Sequence, residues 1–477
     1  MRVLAAPGPL AHPGFRRFWT AQSISVLGDQ ISLLALPLTA VLTLHLDAGA
    51  MGLLTAAGYA PHLLFSLLAG GWIDRSSRRR LIMIGADLAR ALVLASIPLA
   101  VELGALTSAH LYLAAFLAGT LTVFFDQSAT SLLVLVTRSE DLLTANGHLS
   151  TSQAAAQVAG PSVGGLLVGA ITAPVALLAD AISFLASAGF LASIRVREPA
   201  VQRDGRLPAM RAIGEGIRFV AGDPMLRASA ACTSTMNFFN LMLYAILVLF
   251  MSRTLGLHPA TIGLVLGAGA VGALLGAVVA PRLARAIGFG PAIIVGAITF
   301  PAPALLVPLA GGGHARAAVL LTAAEFLAGI GVMIYDVNDN TLRAIRVPYR
   351  LRGRASGSNR FLTYGIRPLG ALTGGWLGST IGLRPTLWIA AVGGLLAVTW
   401  LWHSPIRSLR TPPAPPPTPE RPDELGDRPL PIPLRRSVES VAWTARHGGR
   451  AANGSGGGGL LRRPTWDRWR QTAGEGT

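Results

Sequence analysis

Twelve long, mostly apolar stretches recur along the 477 residues, at 18–44, 50–73, 81–103, 110–134, 144–170, 173–194, 227–251, 260–284, 290–311, 316–338, 358–380 and 384–403. Crossing the hydrocarbon of a bilayer takes about 20 consecutive apolar residues in a helix, and the stretches are of that length. Lipid offers no partner to backbone N–H and C=O groups, so segments of this kind span as helices. Composition agrees. The chain is 52% hydrophobic and only 13% charged, about half the charged share of an ordinary soluble domain. The expected fold is an all-α membrane protein of twelve transmembrane helices.

Most gaps between the stretches are short. The exception, 195–226, is polar and carries Arg195, Arg197, Arg203, Arg206, Arg211 and Arg218, and it divides the chain into six segments plus six. The organisation read from this is an N-terminal six-helix bundle at 1–194, a central loop at 195–226, a C-terminal bundle at 227–403 and a tail at 404–477. The tail holds the Pro-rich run TPPAPPPTPERP and the Gly-rich run NGSGGGG, neither of which builds a core, so it is expected to be disordered. All 40 basic side chains are arginine and the net charge is +17. They cluster between alternate segments and in the tail, which is a topology signal and no sign of nucleic-acid binding. Arg75, Arg78, Arg79, Arg80, Arg138 and the central loop fall on one side, whereas the other receives only Arg253, Arg316 and Arg384. By the positive-inside rule both termini and the central loop are expected in the cytoplasm. No cleavable signal peptide is expected, because the first apolar run is too long.

The halves resemble one another. Segment 4 ends FFDQSATSLL and leads to GPSVGGLL; segment 10 ends MIYDVNDNTL and leads to RPLGALTGGWL. Matching positions in two halves mark a duplicated transporter.

Between segments 2 and 3 stands GGWIDRSSRRR. It resembles the cytoplasmic signature loop of the major facilitator superfamily, Gly-x-x-x-Asp-Arg-x-Gly-Arg-Arg, with Gly70, Asp74, Arg75, Arg78 and Arg79 in place and Ser77 where the family has Gly. Segment 5 carries Gly160, Pro161, Gly164 and Gly165, similar to the antiporter motif Gly-x-x-x-Gly-Pro-x-x-Gly-Gly, with Ala156 at its first position. Longer stretches such as FRRFWTAQSISVLGDQIS resemble the bacterial secretion-type exporters, a branch with enterobactin exporters and macrolide-efflux-like proteins. The resemblance covers about residues 14–408. It implies two pseudo-symmetric six-helix bundles around a central cavity lined by segments 1, 4, 7 and 10, a cytoplasmic gate held by Asp74, and outward transport. The arginine that the family places in segment 4 is missing.

Ionisable groups inside hydrocarbon are costly and face a cavity or a partner. Asp29, Glu325 and Asp180 are candidates for binding protons or substrate, with Asn237 and Asn240 as polar contacts in segment 7. Asp29 in particular has no basic residue within a helical turn of it. Asp87 and Arg90, three apart on one helix face, are expected to pair, and Asp126, Asp336, Arg360 and Arg367 to make structural charge contacts. Arg367 is a possible counter-charge for Glu325.

The chain lacks lysine, a phosphate-binding loop and a His-Glu-x-x-His motif, and its one cysteine, Cys232, supports no metal cluster, so no enzyme activity, metal or cofactor is expected. The reading is a secondary transporter in the cell membrane, a proton-driven exporter of a small amphipathic molecule resembling a drug, macrolide or siderophore, in contact with lipid and acting as a monomer. The alternatives are an importer or an uncoupled facilitator of the same fold, or a scaffold or receptor that does not transport. The orientation is open to test by cysteine scanning on a background lacking Cys232. A cysteine in place of Gly205 is expected to resist a membrane-impermeant maleimide in intact cells and to react once the membrane is opened; labelling from outside would invert the whole topology.

Overall fold

In the computed structural model, residues 8–196, 198, 209–348, 361 and 363–412 are described, with the side chains of 67, 68, 70, 71, 74 and 209–213 outside the description. The first six helices are α1 (Pro13–Leu42), α2 (Ala48–Asp74), α3 (Arg79–Glu102), α4 (Ser108–Val136), α5 (Leu142–Ala170) and α6 (Ala173–Ala192). A short helix, α7 (Ala209–Gly222), precedes α8 (Pro224–Leu249), α9 (Pro259–Ile287), α10 (Phe289–Thr299), α11 (Leu306–Leu309), α12 (His314–Arg346), α13 (Arg367–Thr380), α14 (Leu383–Leu395) and α15 (Val398–Trp402). Among the described residues, nine helices are long and apolar enough to cross a membrane. The other three expected segments are also helices, α2, α5 and α13.

The starts of these helices follow from the sequence. Asp47 accepts a hydrogen bond from Ala50 N at 2.8 Å at the head of α2, and Asp223 accepts from Met225 N and Leu226 N at 2.9 and 3.1 Å at the head of α8. Both satisfy orphan donors of a first turn, and Pro224 stands where no N–H is needed. The ninth expected segment is broken. α10 stops at Thr299, and Pro301, Pro303 and Pro308 follow, carrying the chain through a 3-10 turn (Ala302–Leu305) into α11; proline removes the donors that would continue the ladder.

Two expected boundaries move. The central loop holds the amphipathic helix α7, and α8 begins at Pro224, because Asp223 and Pro224 together start a helix. The tail does not begin at 404. Pro405–Ser408 forms a 3-10 turn with Ile406 fully buried, and Phe289 N and Gly290 N donate to Arg410 O and Leu409 O at 3.1 and 2.8 Å. The segment thus satisfies the open N-terminus of α10, and a Cβ at Gly290 would collide with the Ile406 carbonyl. Residues 413–477 lie outside the described residues.

Each half repeats one packing scheme. In the first, α1 packs on α5 and α6, α2 on α4, and α3 on α4 and α6; in the second, α8 packs on α13 and α14, α9 on α12, and α10 on α12, with α15 beside α10. The halves meet through two exchanged pairs, α5 with α9 and α2 with α13. Both contacts are made on glycine. A Cβ at Gly263 would fall 2.3 Å from the Pro161 carbonyl oxygen and 2.9 Å from Gly165 Cα, and a Cβ at Gly52 would fall 2.7 Å from Gly375 Cα. Small residues let backbones approach this closely where lipid supplies no hydrophobic drive between helices. At the end away from α7, Leu38, Val41 and Met51 of the first half share a buried cluster with Ile246 and Phe250 of the second, and Arg253 Nη2 donates to Val41 O at 3.3 Å.

Gly263→Val is therefore expected to lower the thermal midpoint of the purified protein, with a destabilisation of about 1–3 kcal/mol typical of overpacking. Gly189→Ala, where a Cβ meets nothing within 4 Å, is expected to leave the midpoint unchanged or raised. Equal effects of the two would argue against the glycine contact.

Candidate functional site

Between the halves lies a cavity of about 970 Å³. Its first-half wall comes from α1 (Gln30, Leu33), α2 (Thr55, Tyr59) and α5 (Gln157, Pro161). Its second-half wall is built on α8, α12 and the stretch opening α13, and it reaches Val220 of α7 and Val347 at the α7 end of the molecule. Segment 4, expected in the wall, contributes no lining residue. α4 packs behind α2, so α2 takes its place.

The structure redistributes the candidate charges. Asp29 does not line the cavity, and it is not isolated: its Oδ1 lies 3.7 Å from Arg90 Nη1. The reason is angular. Gln30, Leu33 and Leu34 face the cavity, and a neighbour one residue back is turned by about 100° around a helix, which points Asp29 at α3. Asp180 is fully buried, and its carboxylate accepts hydrogen bonds from Ser32 and Ser183. It fastens α6 to α1 at Gly28, where any Cβ would collide with Asp180 and Ser183, and it too is absent from the cavity wall. Asp87 and Arg90 pair as expected. Arg90 is 1% exposed; its guanidinium lies 4.4 and 4.0 Å from the ring centres of Phe125 and Phe184 and donates to Thr122 Oγ1 at 3.3 Å. It serves α1, α4 and α6 at once. Asp126 is exposed on α4.

The second half keeps charge in the cavity. Glu325 of α12 lies in the wall, 8% exposed, and accepts a hydrogen bond of 2.6 Å from the Tyr244 hydroxyl of α8. No cation lies within ion-pair distance of it among the described residues. Arg367 does not neutralise it. Its Nε and Nη2 donate to Asn237 Oδ1 at 3.0 and 2.9 Å, and its guanidinium lies 3.9 Å from the Tyr364 ring centre and 5.7 Å from that of Tyr59, across the interface between halves. Asn237, Asn240 and Arg367 all line the cavity. Asp336, expected in a charge contact, is exposed in the cavity wall, where it interacts electrostatically with Asp339, Arg343 and Arg367. The structural pair is Asp339 with Arg343, four residues apart on α12 and joined to Ser229 and Thr233 of α8. That i,i+4 spacing was open to reading, as was Tyr244, seven residues after Asn237 and so on its helix face.

The antiporter-like motif divides its glycines. Gly160 and Gly164 pack on Gln30 and Ile31 of α1, whereas Gly165 meets Gly263 of α9, so α5 is wedged between its own half and the other. Beyond α6, Glu198 accepts from Arg79 N at 2.6 Å and Arg80 N at 3.0 Å, a carboxylate at the positive end of α3. The surroundings of Gly70, the side chain of Asp74 and the whole of Arg360 lie outside the description; Arg78 donates its backbone N–H to Ser76 Oγ at 3.1 Å.

Among known proteins, the family model described as Major Facilitator Superfamily matches residues 18–367 and 230–460. The chain belongs to that superfamily, and so it is a multi-pass membrane transporter. It is 28% identical over 380 residues to the multidrug efflux pump Tap of Mycolicibacterium fortuitum, covering 75% of this chain and 88% of that one. It is 25% identical over 379 residues to multidrug resistance protein 1 of Bacillus subtilis, covering 77% and 92%. The solved nucleoside transporter NupG, as its D323A mutant, superposes with a TM-score of 0.69 at 12% identity over 81% of this chain and 98% of that one, a likeness of fold.

The Arg90 contacts make a stability prediction. Arg90→Leu leaves Asp87 buried without its counter-charge, a change that costs about 3–5 kcal/mol when one partner of a buried pair is removed. A lower thermal midpoint and a reduced monodisperse yield are expected. Arg90→Leu with Asp87→Leu is expected to recover part of the loss, since an apolar pair of similar volume replaces the charges. No recovery would mean that Asp87 depends on something other than Arg90.

Proposed function

We propose that this chain is a secondary active exporter of small amphipathic molecules, driven by the proton gradient across the cell membrane. The observation that carries the reading is Glu325, a buried carboxylate in the wall of a cavity shared by two halves, held by a tyrosine hydroxyl and by no cation among the described residues. The efflux pumps among its relatives support the outward direction, as does the glycine-proline motif of α5.

The arginine distribution supports a cytoplasmic location for the α7 end. The cavity reaching Val220 and Val347 is then open to the cytoplasmic side, and the cluster around Phe250 closes the outside. Substrate enters from the cytoplasm or the inner leaflet and settles against Tyr59, Tyr244 and the apolar side chains of α1. In the ionised form Glu325 attracts a basic group; a proton arriving from outside removes that charge and releases it. The two protonation states thus interact differently with substrate and with the two conformations, which is the requirement for coupling. Asp74 and its neighbouring arginines are assigned to closing the cytoplasmic side when the cavity faces out. Asp29, with Arg90 as partner, is assigned to holding α1 on α3, and Glu325 takes the proton-binding role. The protein acts as a monomer, since one chain holds both halves of the cavity.

The test is a substrate-panel efflux assay in cells expressing the protein, with and without a proton uncoupler. Uncoupler-sensitive export of at least one amphipathic compound is expected. Glu325→Gln is expected to reach wild-type protein levels and to lose concentrative export by about tenfold or more, while downhill exchange persists. Wild-type export by Glu325→Gln would remove Glu325 from the coupling mechanism, and the absence of any uncoupler-sensitive flux would remove proton drive.

A further inference from the structure

Of the charges in the cavity wall, two of opposite sign, Glu325 and Arg367, are each anchored by a neutral partner and both tied to one helix. Glu325 is bound by Tyr244, and Arg367 is bound by Asn237. Tyr244 and Asn237 stand seven residues apart on α8, which is two turns on one face and about 10 Å along the axis. Asn240 lies between them and also lines the cavity. The register of α12 on α8 supports the same spacing: Glu325 meets Tyr244, Tyr335 meets Thr233 at 2.8 Å, and Asp339 meets Ser229 at 2.5 Å. The partners that touch Arg367 are uncharged, and Asp336 of α12 acts on it only through space, beyond ion-pair distance. Asn237 is an uncharged amide, the tyrosine rings are uncharged, and no carboxylate lies within ion-pair distance of it among the described residues. Both nitrogens that bond Asn237 lie on one edge of the guanidinium, and Nη1 makes no hydrogen bond among the described residues. Asp336 also lines the cavity, on α12 eleven residues past Glu325, and so a further turn toward α7 beyond the level of Asn237.

A charge withdrawn from water, as Glu325 is and Arg367 is in part, is satisfied in hydrogen bonding by a neutral partner and left unsatisfied in charge. A ligand group of opposite sign completes it with a charge-assisted bond, stronger than a neutral one. We propose that Glu325 and Arg367 are the two ends of a single subsite, and that the substrates recognised best are zwitterionic amphiphiles with a basic nitrogen and an acidic group about 10 Å apart, joined by an apolar or aromatic body that lies along α8. Arg367 is then a specificity-determining residue: its guanidinium takes the acid while Glu325 takes the base, and Tyr59 and Tyr364 flank the acidic end. The contact between Arg367 and Tyr59 spans the two halves, so an anion bound there touches the interface that must rearrange in transport. The proposal rests on the cavity being the substrate site.

The test is equilibrium binding to the purified full chain in detergent, with no gradient, using three probes. These are 4'-(aminomethyl)biphenyl-4-carboxylate, its methyl ester, which keeps only the positive charge, and its N-acetyl derivative, which keeps only the negative one. The zwitterion is expected to bind the wild-type chain about tenfold more tightly than either relative, or better, as one charge-assisted contact at each end requires. Arg367→Gln is expected to bring the zwitterion-to-ester ratio to about one, and Glu325→Gln the zwitterion-to-acetyl ratio, each ratio being taken within one variant so that general damage cancels. Arg367→Lys keeps the charge and is expected to retain a preference for zwitterion over ester. Equal affinity of the wild type for zwitterion and ester, or an unchanged ratio in Arg367→Gln, overturns the proposal. Zwitterion preference in a chain that shows no export would sustain the subsite and count against the export reading alone.

Discussion

In hydrocarbon, apolar surface gains nothing by leaving its solvent, so helices must cohere by close packing and by polar contacts. The glycine pairs Gly165–Gly263 and Gly52–Gly375 are where this protein meets that constraint between its halves. Each brings two backbones nearer than any side chain permits, and each lies on an exchanged helix pair, α5 with α9 and α2 with α13. Everything else in the cavity depends on this. With the two pairs fixed, α1 and α8 stand across the space between the halves, and their polar faces have a void to look into rather than a neighbour.

The halves share a packing scheme but treat charge differently. In the first, one arginine gathers the field of α1, α3, α4 and α6: Arg90 meets Asp87 and Asp29 and stacks on Phe125 and Phe184, while serines hold Asp180. In this half the buried charges serve assembly. In the second, pairing is concentrated toward the α7 end, at Asp339–Arg343 and Asp223–Arg346, and deeper in the cavity Glu325 and Arg367 are given neutral partners instead. The duplicated scaffold thus treats charge in two ways, pairing it within the first half and leaving part of it facing the cavity in the second.

Much of this was open to reading from the sequence. The spanning segments are long and apolar, and the structure places helices on them with ends shifted by a few residues. The exceptions are the ninth, which prolines break, and the twelfth, which a turn at 396–397 divides into α14 and α15. Pairs on one helix were legible from spacing, as Asp87 with Arg90 proves, and Asp339 with Arg343 obeys the same rule. Contacts between helices were not. Asp29 looked isolated because its partner is 61 positions away on α3, and the rotation of α1 that turns Gln30 inward and Asp29 aside is set by packing against α5 and α6. Arg367 looked structural because its neutral partner, Asn237, lies on another helix. The roles of Glu325 and Asn237 as cavity groups were open to inference, since polar side chains in an apolar span need either a partner or water.

The strap formed by Pro405–Ser408 and the two residues after it redraws where the membrane module stops. Leu409 and Arg410 supply carbonyls to the first turn of α10, and Arg410 Nη1 reaches back to Ile287 O at 3.4 Å at the end of α9. The loop between those helices is thereby closed by residues that hydropathy assigns to the tail. For anyone shortening this chain, attaching a reporter to it, or grafting its core onto another C-terminus, the safe seam falls after Arg410. A cut at the last apolar residue would leave the N–H groups of Phe289 and Gly290 without their acceptors.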